Sequence, residues 1–116
     1  MARSNEAFWW SLFSAGGVMS ALFLPVMILL TGFLLPFIGG AGSHASYERV
    51  HGLVSFWLVK LVLFAVIAFS LFHCAHRIRH ILMDVGLREA AGVLSVICYG
   101  AALVGAGIAA SFLIGL

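Results

Sequence analysis

The chain has 116 residues, of which 64% are hydrophobic and 9% charged, with a formal net charge of +2. A soluble domain carries about a quarter charged residues, and a monomer of this size has too little interior to hide so much apolar surface. A free-standing soluble enzyme is excluded, and the small, dispersed positive charge points to no nucleic acid. No charged residue occurs between Glu6 and Glu48 or after Glu89. A bilayer-spanning helix needs about 20 apolar residues, because the hydrocarbon is about 30 Å thick. The expected fold is an all-α membrane protein of one domain, residues 1–116, with three transmembrane helices over about 8–36, 51–84 and 90–114.

The first apolar segment is too long for the apolar core of a signal peptide, and its glycines and proline do not read as such a core with a cleavage site. Asn5 or Ser4 suits its N-cap, and Trp9 and Trp10 fall where an aromatic belt lies. Gly16, Gly17, Ser20 and Ala21 form two small-xxx-small pairs that let another helix approach closely. Pro25 removes one backbone donor and is expected to kink the helix. Pro36 and the run Gly39-Gly40-Ala41-Gly42-Ser43 end it.

The second helix begins near His51, stays apolar to about Phe72, and continues through a polar end to Asp84, with Gly86 as its stop. The third is rich in small residues, with Ala101, Gly105 and Ala109, and Ala102, Ala106 and Ala110, at every fourth position. Cys74 and Cys98 have no metal-like spacing and read as small core residues. With three crossings, Arg3, Arg77, Arg79 and Arg88 share one side and Arg49 lies on the other. The positive-inside rule puts the N-terminus and the second loop in the cytoplasm and the C-terminus outside.

The chemistry concentrates between His73 and Asp84. At about 100° per residue, His73, His76, Arg77, His80 and Asp84 fall within one arc of a helix, and Arg79 points away. Imidazoles that titrate near neutrality and a fixed guanidinium suit a quinone carbonyl and its protons. They equally suit the phosphates of a membrane surface. Trp10 is either a belt residue or an indole N–H donor at the depth of Arg77. Lys60 sits among Phe56, Trp57 and Phe64 with no acidic residue in either other helix. Its ammonium either snorkels to the surface or meets another subunit, a carbonyl, a lipid headgroup or water. Haem ligation needs histidines from two helices, and only the second helix has them.

The landmarks Phe8-Trp9-Trp10, Leu12 to Gly17, Pro25 to Leu30, Ser46 to Val50, Lys60 and His76-Arg77-Ile78-Arg79-His80 follow one another in a set order. In this the chain resembles the family of fumarate reductase D subunits, hydrophobic anchors of quinol:fumarate oxidoreductase, from about Phe8 to the C-terminus. The resemblance implies a non-catalytic anchor in the bacterial inner membrane. With the C anchor subunit it would hold the flavoprotein and iron–sulfur subunits at the cytoplasmic face, in anaerobic respiration. It implies a menaquinol site at the subunit interface, bordered by Trp10, His76 and Arg77. No haem is implied, and flavin and iron–sulfur clusters belong to the partner subunits. Arg79 stands where a relative has His and inherits no role. The alternative is the anchor of a succinate:quinone oxidoreductase. A small transporter would need a fourth span and an intramembrane acid, and a purely structural assembly protein would touch no quinone.

Overall fold

The computed structural model describes residues 5–39 and 44–116, and all the elements formed by these residues are helical. In a medium without water the helix is the one local structure that pairs its own backbone groups, and the apolar composition drives the chain there. Helix α1 (Glu6–Leu29) starts at Asn5, whose carbonyl accepts the Trp9 N–H at 3.1 Å. The Asn5 side chain makes no capping bond, and Ser4 lies outside the described residues. The helix stays α-helical through Pro25. Its irregularity comes later, as a π-helical turn over Leu30–Leu34 that leads into α2 (Leu35–Gly39). This wide turn lies between Pro25 and Pro36, each of which removes a donor from the ladder.

The helix expected over 51–84 is divided. Helix α3 (His44–Ser55) and helix α4 (Trp57–Leu82) meet at Phe56, whose backbone is extended at φ −68° and ψ 128°. The Ser55 hydroxyl donates to the His51 carbonyl at 2.7 Å, which competes with the backbone bond to that acceptor. The Phe56 N–H turns to Leu53 O at 3.3 Å, and the Phe56 carbonyl opens α4 by accepting from Lys60 N at 3.0 Å. Helix α3 is two-faced: at helical spacing Tyr47, Val50, Leu53 and Val54 fall on one side, Glu48, Arg49, His51 and Ser55 on the other.

Helix α4 ends in a π-turn over Met83–Leu87 and a short 3₁₀ turn over Arg88–Ala90 before α5 (Ala91–Gly115). Gly86 has φ +126°, the one positive φ among the described residues, and there the chain doubles back. A side chain resists that conformation. The expected stop at Gly86 is thus the hinge of a helical hairpin. Two helical stretches are long and apolar enough to cross a membrane: Glu6–Phe37, and the 59 residues of Trp57–Gly115 that fold back at this hinge.

Three helices pack side by side, with α4 between α1 and α5. Gly16 is buried against α4, where an added Cβ would lie 2.9 Å from the Phe69 carbonyl oxygen. One turn on, Ser20 donates to Gly16 O at 2.9 Å and pairs with Ser70 of α4 at 2.7 Å. Against α5, Ala75 packs with Cys98 and Ala102, and a Cβ on Gly105 would meet Leu71 at 3.1 Å. Of the two small-residue rows on α5, Ala102 and Ala106 are buried and Ala101 is exposed. Cys98 is a core residue as expected, whereas Cys74 is exposed: it lies on the outer side of α4, one position before the buried Ala75. Large apolar side chains cover the outside, up to 80% exposed at Phe37 and 81% at Ile114.

Gly86→Ala should destabilise the protein by about 1–2 kcal/mol through the left-handed backbone alone. Gly16→Ala should cost about 1–3 kcal/mol, because a backbone carbonyl cannot swing aside as a side-chain tip can. Gly32→Ala, where an added Cβ meets nothing within 4 Å, should leave the thermal midpoint in mild detergent within a degree or two.

Candidate functional site

The first turns of α1, the last turns of α4 and the start of α5 meet at one end of the bundle. Missing side chains make the meeting possible. A Cβ on Gly17 would sit 2.7 Å from Cε1 of His73, so glycine leaves the space that the imidazole fills. There Nδ1–H of His73 donates to the Phe13 carbonyl at 3.1 Å, which fixes that nitrogen as the protonated one. The Phe13 ring stacks on His73 at 4.4 Å and leans on His76 at 4.1 Å. Trp10 sets its edge against both His76 and Phe13, at 6.0 Å in each case.

His76 lies where the three helices converge. Its Nδ1 is 2.7 Å from the Tyr99 hydroxyl of α5, and its ring is 4.3 Å from that of His80. Its Nε2 is shut off from solvent and has no hydrogen-bond partner. Beside it opens a cavity of about 550 Å³. Trp9, Trp10, Phe13 and Phe72 supply aromatic walls, His73, His76 and Tyr99 the polar points, and Glu6 stands among the lining residues at the helix start. A flat, apolar ring with a polar oxygen suits such a surface. The cost of leaving a buried nitrogen unpaired is about 1–3 kcal/mol, which a ligand oxygen would recover.

Of the residues singled out in the sequence, Trp10 and His76 come together in this wall. Trp9 also lines it, but Trp10 is the one that touches the His76 ring. Arg77 does not join them: it is exposed and outside the lining. Arg79 turns inward instead, its Nε donating to Ser95 Oγ of α5 at 2.5 Å while Ser95 donates to Ala91 O at 2.9 Å. This ties α4 to α5 just before the hairpin turn. His73, one of the imidazoles placed on the polar arc, also lines the cavity, and Phe13 and Tyr99 are lining residues to which sequence reasoning gave no role. Phe13 sits within a run that drew attention; Tyr99 lies in an apolar helix and carried no signal. Among the described residues no group of three or more His, Cys, Asp or Glu side chains is disposed to hold a metal ion. At the opposite end a second, smaller cavity of about 340 Å³ is lined by Lys60, Trp57 and Phe64 of α4 and by Ala110 and Leu113 of α5.

The fold and the site define a small all-α membrane protein whose apolar helices lie open to their surroundings and whose polar chemistry gathers at one end. The family model for the D subunit of fumarate reductase matches residues 1–114. Three relatives carry that same name. The protein of Photobacterium profundum is 38% identical over 95% of this chain and 91% of its own length. That of Vibrio cholerae serotype O1 is 36% identical over 96% and 85%. That of Mycobacterium bovis is 39% identical over 89% and 82%. The chain belongs to the family of fumarate reductase D subunits. With its apolar helices, that membership makes it a non-catalytic membrane anchor with a multi-pass location in the inner membrane.

The Arg79–Ser95 bond gives a structural test. Arg79→Leu and Ser95→Ala should each lower the thermal midpoint of the protein by a few degrees, as the loss of about 1 kcal/mol would. The double variant should be little worse than either, since both remove one bond. Additive losses would show that the two residues act apart.

Proposed function

We propose that this chain anchors the flavoprotein and iron–sulfur subunits of fumarate reductase to the cytoplasmic face of the inner membrane, beside a second anchor subunit, and forms part of a menaquinol site. Three crossings, by α1, α4 and α5, suit the lengths. The 26 residues of α4 and the 25 of α5 each reach close to 40 Å at 1.5 Å per residue, beyond the roughly 30 Å of hydrocarbon. The start of α1 and the α4–α5 turn share one end, and Arg77, Arg79 and Arg88 cluster there. This supports a cytoplasmic N-terminus and a periplasmic C-terminus.

The observation that carries the quinol reading is the aromatic cavity lined by His76, a histidine whose Nε2 is buried and unpaired. Menaquinol brings a flat apolar ring and two oxygens, and its oxidation releases two electrons and two protons. The aromatic side chains would hold the ring and exclude water. Trp10 would offer its indole N–H, and His76 would hydrogen-bond an oxygen. Arg77, exposed beside His76 on α4, would meet the same ligand where partner subunits close the site, and steady negative charge on oxygen. Electrons pass to the iron–sulfur partner; the reduction of fumarate lies outside this chain.

In the assembled complex, Arg77→Leu should slow quinol-dependent fumarate reduction about tenfold to a hundredfold, matching a lost charged hydrogen bond of roughly 1.5–3 kcal/mol. Fumarate reduction driven by an artificial dye should change little, because the dye bypasses the membrane site. Arg79→Leu should affect quinol turnover far less. An Arg77→Leu complex that still oxidises quinol normally would remove Arg77 from the site. For topology, in a background with Cys74→Ala, a cysteine at Leu87 should resist an impermeant thiol reagent applied to intact cells and one at Tyr47 should react. Labelling at Leu87 from outside would reverse the orientation.

A further inference from the structure

His76 is held from one side only. Its Nδ1 has the Tyr99 hydroxyl at 2.7 Å, and its Nε2 has nothing. The Tyr99 hydroxyl in turn has no other hydrogen-bond partner among the described residues. A phenol can donate to this nitrogen, and a neutral imidazole that accepts at Nδ1 carries its proton on Nε2. The ring cannot easily turn to exchange its nitrogens, because Phe13 at 4.1 Å and His80 at 4.3 Å flank it and Trp10 stands edge-on at 6.0 Å. The hydroxyl reaches from a different helix, so α5 decides the state of a side chain that α4 carries.

We propose that Tyr99 is a positioning residue for the quinone site: by donating to Nδ1 it fixes His76 in the form that presents Nε2–H, the donor a quinone carbonyl takes up. This rests on the reading of the cavity as a quinone site and gives a residue on α5 a part in its chemistry. Because Nε2 is closed off, its neighbours must shift for a ligand to reach it, and a ring already held in one orientation loses less freedom when they do. Without the hydroxyl, the imidazole divides between two tautomers, and only a fraction of molecules offers the donor at any moment. The same tyrosine oxygen can accept from Nδ1–H whenever the imidazole takes up a second proton, so the ring keeps its orientation in both charge states.

The test uses the full complex in membranes, with a soluble menaquinol analogue as donor and rates normalised to dye-driven fumarate reduction. Tyr99→Phe keeps the ring and removes the hydroxyl; Tyr99→Met is a second removal should the first fail to assemble. The expected result is a KM for the quinol raised about threefold to tenfold with little change in kcat, the size of one ordinary hydrogen bond. His76→Gln should slow quinol turnover further, and Tyr99→Phe added to it should change nothing more, because Tyr99 acts only through His76. Normal quinol kinetics in Tyr99→Phe beside an impaired His76→Gln would overturn the role of Tyr99 and leave the quinone site standing. Effects that multiply in the double variant would overturn it too. Normal quinol turnover in His76→Gln would sink both the role of Tyr99 and the assignment of the cavity to quinol.

Discussion

The close approach of α1 to α4 at Gly16 and Gly17 is the constraint on which the polar end of this protein depends. The first glycine lets a helix backbone rest on the Phe69 carbonyl, and the second leaves the volume taken by the His73 ring. Side chains at either position would push α1 outward. The Phe13 carbonyl would then lose the His73 Nδ1–H, the Phe13 ring would leave both imidazoles, and the cavity would lose a wall. In lipid no hydrophobic force draws helices together, because the tails are as apolar as the side chains. Close van der Waals packing must therefore supply much of the association, and glycine is the residue that permits it.

Hydrogen bonds between helices add to that packing, and besides the His73–Phe13 bond three more join the helices. Ser20 meets Ser70 between α1 and α4, and both His76–Tyr99 and Arg79–Ser95 join α4 to α5. Such bonds average only about 0.6 kcal/mol in membrane proteins, since a separated helix finds other partners. Four of them do not make a robust globule. Among the described residues the buried apolar set is small, Val66, Ala75, Cys98, Ala102 and Ala106, while Trp9, Phe33, Trp57 and Phe112 are each more than 60% exposed. A chain built this way gains most of its stability from whatever covers its outside, lipid and neighbouring subunits alike.

Much of this was legible in the sequence, and the reasons are physical. Charge-free apolar runs admit little but helix, Gly86 marks a conformation that side chains resist, and glycine pairs at helical spacing mark close contact. The break at Phe56 was not legible, because no proline stands there and a serine bonded back one turn, as Ser55 is to His51, also occurs inside an unbroken helix at Ser111. A helical wheel separated Arg77 from Arg79 correctly. It could not say which of the two faces a neighbour, and the inward one proved to be Arg79, drawn by Ser95 sixteen positions away. Cys74 looked like a core residue for the same reason: a wheel has no knowledge of where the next helix stands. Tyr99 was invisible because its meaning lies wholly in His76, 23 residues earlier.

The arrangement at the polar end is that of a partial site. Its aromatic walls and its imidazoles come from this chain, yet Arg77 is exposed outside the cavity lining and Nε2 of His76 is unpaired. A site complete within one subunit would turn its cation inward, since a desolvated charge strengthens binding of a polar ligand. Here the inward cation, Arg79, is already taken up by Ser95 and serves the hairpin. The division follows from the register of one helix: two residues apart on α4, Arg77 and Arg79 differ by about 200°, so one cannot hold α5 without the other facing out. An anchor that must both pack its own helices and present a cation at the membrane surface gains both from a single Arg-x-Arg step, with His76 beside it at the cavity.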